Sequence, residues 1–473
     1  MSRLDQRAAA ETGAARQHDS SQTLARLVPY ALGAVLAAAY ATLSVQRFSR
    51  FDTPSWDNAI FTQAIAGYAN LGAPVVDIKG PGFNILGDHF SPIIALVAPF
   101  YRIFPDPRTL LVAQAVAVGF SVVPIARLAI RRLGLGSGLA VAMAYGLSFG
   151  IASAVYVDFH EVAFAAPLLA LAGEAYVDRR WGPVALWAGP VLLVKEDLGL
   201  TVVAVGAAVA VSGAKKIGSL LMVGGLAGFA LVLLVLIPAV NPGGGYDYVD
   251  VLGGGSAGVG PVATLMTQWD TKAMTVLVTL GVTGFLALRS PWVLVAGPTL
   301  AWRFVGDNAY YWDTDFHYSL VLMPVVFVAM LDAIVRVREH PSSWIGRYAV
   351  HAPAVAVAVA LALLPQYPLA GLVQPQTYAE SVRADAAEAV IAEVPVGASV
   401  ESDIGLITHL AADRQVYWTG TVGSAVPDYV LIDTEAGWNT TPDVARYAEQ
   451  QHPGTSYDEV FSRDGYLLAR RTS

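Results

Sequence analysis

Runs of roughly 17–25 mostly apolar residues recur along this chain, the length that covers the hydrocarbon of a bilayer as a helix. Inside lipid every backbone polar group must find its partner within the structure, so such runs cross as α-helices. The charged fraction agrees. Only 14% of residues are charged and 55% are hydrophobic, against about a quarter charged in an average soluble chain. The fold class read from these facts is an α-helical polytopic membrane protein. The net charge of −8 comes largely from the last hundred residues and argues against a nucleic-acid partner. The chain has no cysteine, which excludes disulfides and thiolate metal sites.

Basic residues set the orientation. Arg3, Arg7, Arg16 and Arg26 precede the first run, so a polar segment, residues 1–23, is expected in the cytoplasm. Met1 to Ser21 carries Asp5, Glu11 and Asp19 and is long for the charged start of a signal peptide, although Ala39-Tyr40-Ala41 resembles a cleavage site. Residues 24–45 form the first retained span. An outer loop, 46–108, follows. Within it Ser91 to Phe104 is apolar but short and punctuated by Pro92, Pro99 and Pro105, which reads as a helix lying at the outer interface. Spans then alternate through Thr109–Ile130, Leu139–Val157, Val162–Val177 and Trp181–Val194, up to Val350–Leu364. The inner ends are marked by Arg131-Arg132, Asp178-Arg179-Arg180, Lys215-Lys216 and Arg336-Val337-Arg338. About eleven spans within residues 24–366 result, in a multi-pass protein of the inner (plasma) membrane. Residues 374–473 change character. Ala398 to Ser402 and Tyr429 to Asp433 read as strands, Ala386 to Ala392 and Ile404 to Leu410 as helices, which predicts a small extracytoplasmic α/β domain.

On this topology the acidic and histidine clusters of the apolar region fall on the outer side. Charge at a membrane boundary is costly and usually has a use. Ser55 can cap a helix with Asp57 in its first turn. Asp57 is then either a partner of the helix dipole or a general base at the membrane surface. Gly87-Asp88-His89 and Asp158-Phe159-His160-Glu161 add carboxylates and imidazoles that suit a divalent cation, or that simply pair with one another. No cofactor is required by any motif, and no spacing here is as diagnostic as a zinc motif. Lys195-Glu196-Asp197 is a plain outer loop or offers Lys195 to a phosphate. Arg303, at the outer end of the ninth span, is a second phosphate candidate. Asp313, Asp315 and His317 either contact substrate or solvate a loop.

Trp56-Asp57-Asn58-Ala59-Ile60-Phe61-Thr62-Gln63, Gly87-Asp88-His89-Phe90-Ser91-Pro92, Asp158-Phe159-His160 and Val194-Lys195-Glu196-Asp197 resemble the signatures of the bacterial membrane family known as domain of unknown function 2079. In the tail, Val394-Pro395-Val396-Gly397-Ala398-Ser399-Val400, His409-Leu410, Arg414 and Asp428 to Asp433 resemble the same family. The likeness runs from about Phe51 to Asp433. It implies kinship with the GT-C glycosyltransferases, multi-spanning enzymes that take sugars from polyprenyl-phosphate donors. It also implies a catalytic acid in the first outer loop, where Asp57 is the match and Asp52 the alternative. A second acid that often precedes the Gln is here Thr62, one carboxylate fewer. The resemblance thus implies an inverting glycosyltransferase at the outer membrane face with Asp57 as base. Substrate contacts would come from Asp88, His89, Asp158, His160, Glu161, Lys195, Glu196 and Arg303. Its partners would be a polyprenyl-phosphate-linked sugar, membrane lipid and a cell-envelope acceptor, whether glycan, lipid or protein. The competing classes are a transporter or flippase, which would place polar groups near mid-membrane on broken helices, and a non-catalytic scaffold for the tail.

Overall fold

The computed structural model describes residues 3–473 apart from Pro54, 247–259, 339–342, Ala436 and Trp438, with side chains from Arg26 onward. The expected N-terminal segment 1–23 therefore lies outside the described side chains. Residues 241–272, Gly- and Tyr-rich between two apolar runs, are expected as an outer loop, and 247–259 of them lie outside the described residues.

Five helices are long and apolar enough to cross a membrane: Arg26–Ser49, Arg108–Leu133, Leu135–Val157, Lys215–Val240 and Trp344–Gln366. The other six expected spans fall on shorter or broken helices, among them Ala165–Val177, Leu198–Val211 and Leu322–Val337. The expected interfacial segment is a short helical stretch, Pro92–Ile103. Proline explains much of the shortening, because it removes an amide hydrogen and clashes with the preceding turn. Pro92, Pro291 and Pro298 each open a new helical piece.

The bundle packs through small residues. Gly33 and Gly119 face each other, and a Cβ on either would come within 2.6 Å or 2.4 Å of the other's carbonyl oxygen. That closeness lets the first and second long helices meet backbone to backbone, as small residues allow in membranes. At the arginine-rich end, Glu174 is held by Arg127 and by Arg131 at 2.6 Å, and Asp332 by Arg336 at 2.6 Å. The buried acids of this end are thus paired. The helix that carries Arg127 and Arg131, Arg108–Leu133, has 26 residues and is therefore ~39 Å long at ~1.5 Å per residue.

The tail forms a five-stranded sheet: β1 (Ser399–Ser402), β2 (Gln415–Trp418), β3 (Tyr429–Asp433), β4 (Tyr457–Arg463) and β5 (Tyr466–Arg471). The strand order is β2-β1-β3-β5-β4, with β1 parallel to β2 and β3, and β5 antiparallel to β3 and β4. Helix Ala384–Glu393 covers one face and Val444–Gln451 the other.

This module is not a loose appendage. Its core is continuous with that of the first loop: Ile60, Ile65, Ile85 and Phe159 share a cluster with Val390, Val400, Leu406 and Leu431. The Ser55 amide donates to the Ile404 carbonyl at 3.2 Å, and the Thr408 hydroxyl donates to the Ser55 carbonyl at 3.0 Å. Gln63 Nε2 donates to the Val416 carbonyl at 2.9 Å, and the Trp56 and Trp418 rings lie 4.5 Å apart. The tail therefore sits on the same face of the bundle as the 46–108 loop.

Candidate active site

The helix Asp57–Ala69 begins where the chain leaves Ser55. As the sequence predicts, Ser55 caps it: its Oγ accepts the Asn58 amide at 3.2 Å. Asp158 Oδ2 accepts the same amide at 3.2 Å and also takes the Ser55 hydroxyl. The helix dipole thus already has its carboxylate, and it is Asp158. Asp57 points elsewhere.

Asp158-Phe159-His160 leaves the end of helix Phe149–Val157 in extended form, and alternate side chains of an extended chain share a face. Asp158 and His160 therefore point together while Phe159 turns into the core against Phe61, with ring centroids 5.4 Å apart. Gln114, fully buried, fixes this geometry with both ends of its amide. Its Nε2 donates to the Asp158 carbonyl at 2.5 Å, and its Oε1 accepts the His160 amide at 2.8 Å. Nothing in the sequence pattern marks Gln114.

The result is a row of three groups. Asp57 Oδ2 lies 3.2 Å from His160 Nε2, and His160 Nδ1 lies 3.3 Å from Asp158 Oδ1. The Asp57 side chain is 48% exposed, opening into a cavity, whereas Asp158 and His160 are 3% and 4% exposed. The His317 ring stacks on His160 at 3.6 Å. Burial alone would raise the Asp57 pKa, but the hydrogen bond and charge of His160 outweigh it and hold the carboxyl below its usual range. Burial pushes Asp158 up to about 6. His160 loses charge stability by burial yet is raised above the ordinary imidazole value by Asp158 and Asp57. His317, buried and beside His160, is held well below it and stays neutral.

The cavity encloses ≈ 200 Å³. Asp57, His89, His160, Glu161, Lys195, Glu196 and Asp197 line it, with Phe61, Tyr246, Trp302, Tyr311, His317 and Tyr318 as an aromatic wall. Lys195 pairs with Glu161 at 3.0 Å; burial opposes its charge, but Glu161, Glu196 and Asp197 hold it protonated above the usual lysine range. Glu196 accepts from His89 at 3.0 Å and from the Tyr246 hydroxyl at 2.9 Å; burial would raise its pKa, but the His89 charge leads the partners that lower it to about 2.

Six of the nine sequence-predicted site residues thus line one cavity: Asp57, His89, His160, Glu161, Lys195 and Glu196. Asp158 stands directly behind it. Asp88 is buried outside the lining and pairs with Lys79 at 3.0 Å. Arg303 departs furthest from expectation. It is fully buried, and its guanidinium donates to the Tyr311 carbonyl at 2.7 Å, the Asp313 carbonyl at 2.6 Å and Ser319 Oγ at 3.2 Å. All three of its nitrogens are engaged in holding the loop that carries His317, and it lies outside the cavity lining, so it braces that loop instead of facing a phosphate. Asp313 and Asp315 lie outside the lining, while His317 belongs to it. Asp52 pairs with Arg50 at 2.5 Å away from the cavity. Asp197, Tyr246, Trp302, Tyr311 and Tyr318 are not singled out by sequence; Asp197 alone has a signal, as the last member of the Lys195-Glu196-Asp197 cluster.

Asp57, Asp158 and His160 each offer one ligand atom within 4.8 Å of the others. Asp158 Oδ1 and His160 Nδ1 are buried and lack a well-aligned hydrogen bond. Two carboxylates and an imidazole fit a divalent cation that displaces the His160 proton now held between Asp57 and Asp158.

Residues 47–468 match the model of a family described as "Predicted membrane protein (DUF2079)". No curated protein matches the sequence significantly. Among solved structures, the chain resembles that of ArnT from Cupriavidus metallidurans bound to undecaprenyl phosphate, with 13% identity, 92% of this chain and 97% of that chain covered, and a TM-score of 0.51. It also aligns with the Archaeoglobus fulgidus oligosaccharyltransferase in complex with zinc and sulfate, at 13% identity over 92% of this chain and 72% of that chain, TM-score 0.47.

Proposed function

This chain belongs to the DUF2079 family of predicted membrane proteins and has a GT-C-like helical fold with a small C-terminal sheet domain, and we propose that it transfers a sugar from a polyprenyl-phosphate carrier to a hydroxyl acceptor at the outer face of the membrane. The observation that carries this reading is Asp57, an ionised carboxylate opening into the cavity and oriented by His160 and Asp158. The fold it shares with ArnT, which was solved with undecaprenyl phosphate, supports the choice of carrier.

The reaction is a single displacement with inversion. Asp57 takes the proton of the acceptor hydroxyl, the acceptor oxygen bonds to the anomeric carbon, and the bond from that carbon to the phosphate oxygen breaks. The bonding electron pair stays on that phosphate oxygen, and the polyprenyl phosphate leaves as an anion that needs little acid help. Lys195, with His89, whose pKa is raised above the ordinary value because the charges of Asp88 and Glu196 outweigh burial, offsets charge on the departing phosphate. Preformed charges aimed at a developing charge often lower the barrier of such reactions more than any other single effect. A divalent cation held by Asp57, Asp158 and His160 would supply further charge stabilisation there. The tail, placed over the first loop, orients a cell-envelope acceptor and lies outside the cytoplasm with residues 374–473. The gathering of polar groups at one end of the bundle, instead of at mid-length, favours transfer over transport.

The test uses membranes carrying the protein and a polyprenyl-phosphate donor labelled in its sugar. Label moving from the carrier to an acceptor supports the proposal. Label that remains on the carrier, or merely crosses the bilayer with it, defeats it.

A further inference from the structure

Behind the cavity lies a second, more enclosed recess that the displacement above leaves unused. It encloses ≈ 20 Å³, shares Lys195, Asp197, Trp302, His317 and Tyr318 with the cavity, and adds Thr299 among apolar neighbours. Its interior holds about one or two water-sized groups. Thr299 is 3% and His317 8% exposed. Thr299 Oγ1, His317 Nδ1, Trp302 Nε1 and Asp197 Oδ1 have no hydrogen-bond partner among the described residues. Buried polar atoms are nearly always satisfied, so four unmet ones around one recess point to an occupant.

Their chemistry selects that occupant. Trp302 Nε1 only donates, the Asp197 oxygen accepts when ionised, Thr299 does both, and His317 Nδ1 does either according to its tautomer. A bare cation would meet the indole N–H. A phosphate would meet the Asp197 carboxylate. A hydroxyl, with one hydrogen to donate and two lone pairs to accept, suits this mixed set and bonds up to three of the four at once. Burial holds the Asp197 carboxyl up at about 7, so near neutrality it offers either role. Size narrows the choice further: the recess is too small for a sugar ring and suits a one-carbon arm. Its wall connects directly to the chemistry, since His317 stacks on His160 and His160 holds Asp57.

We propose that this recess is a subsite for the exocyclic hydroxymethyl group of the donor sugar, read by Thr299, Asp197, Trp302 and His317. The proposal rests on the glycosyl-transfer reading and names the hydroxyl that the site selects.

The test compares three donors on the wild-type protein: a polyprenyl-phosphate hexose, its 6-deoxy counterpart, and a pentose without the arm. The expected kcat/KM favours the hexose by about 10- to 100-fold, since losing the hydroxyl leaves its buried partners unbonded. Thr299→Val should bring the hexose down to the 6-deoxy level, and Thr299→Ser should keep the preference. Equal use of hexose and 6-deoxy donor by the wild type, or an unchanged preference in Thr299→Val, overturns the subsite. If no donor is turned over, the transfer reading fails instead. The subsite is then judged by binding of the same carriers in detergent: about tenfold tighter binding of the hexose supports it, and equal binding overturns it.

Discussion

Replacing Asp57 by Asn separates a reactive carboxylate from a structural one. The amide keeps the shape, and its oxygen can still accept from His160 Nε2, now 3.2 Å from the carboxylate. What disappears is the capacity to take a proton. Turnover should fall about 100- to 10,000-fold, the usual worth of a positioned base. Stability should hardly change. The first turn of the helix Asp57–Ala69 already has the Asp158 oxygen and Ser55 Oγ on the Asn58 amide. The residual dipole contribution of Asp57 is then worth at most about 0.3–1 kcal/mol, roughly 1 °C or less in melting temperature for a chain of this size. Loss of the charge should also lower the His160 pKa toward its ordinary value, because Asp57 is one of the groups that raise it. The assay is label transfer from the lipid donor in membranes, beside a thermal melt in detergent and donor binding, which should be little altered. Asp52→Asn is the control and should be mild, since Asp52 pairs with Arg50 outside the cavity. A folded Asp57→Asn protein that turns over at nearly the wild-type rate, with a lowered melting point, would refute the reasoning.

Two further outcomes follow from the same geometry. Thr408→Val removes the hydroxyl that holds the Ser55 carbonyl and should cut kcat about 3- to 30-fold with little change in KM, as loss of one orienting hydrogen bond would, while Thr408→Ser restores it; equal rates in both variants would show that the tail does not position Asp57. In the tail, Glu401 lies 2.6 Å from His452, and burial raises its pKa to about 8 while lowering that of His452. The unfolded chain loses the Glu401 proton near its ordinary value of 4.5 and the folded chain keeps it, so this contribution to stability is full below that value and is lost as pH rises through about 8. Between about pH 7.5 and 8, where His452 is largely neutral in both states, the melting temperature of the wild type should fall relative to Glu401→Gln, and a constant gap between the two would contradict the assignment.

The class of fold was readable because its cause is local. The helix expected over Thr109–Ile130 is found at Arg108–Leu133, and the strand expected at Tyr429–Asp433 is found there unchanged. The hairpin of β4 and β5 was missed, although Asp464-Gly465, both with positive φ, carries the two-residue turn signal of such hairpins. Spans such as Trp181–Val194 were less legible, since hydropathy cannot say whether a short proline-broken run crosses. In the site, the acidic and histidine residues stood out because charge beside apolar runs is rare. Arg303 misleads for the same reason: a charge at a span end reads as facing substrate, and only the positions of the Tyr311 and Asp313 carbonyls reveal a brace. Gln114 and Thr408 could not be found at all. Their roles depend on contacts 44 to 46 and 353 residues distant, which no periodicity encodes.

That last separation bears on when the protein becomes competent during its manufacture. Ser55 is threaded into the membrane early, but the residues that grip its backbone, Ile404 and Thr408, are translated some 350 residues later. At about 5–20 residues per second, the nascent chain spends roughly 20–70 s with its carboxylate in place and its clamp still unmade. A polypeptide released early would carry every cavity residue yet lack the two hydrogen bonds by which the tail holds the Ser55 backbone. Completion of the cavity's support is thereby tied to the end of synthesis.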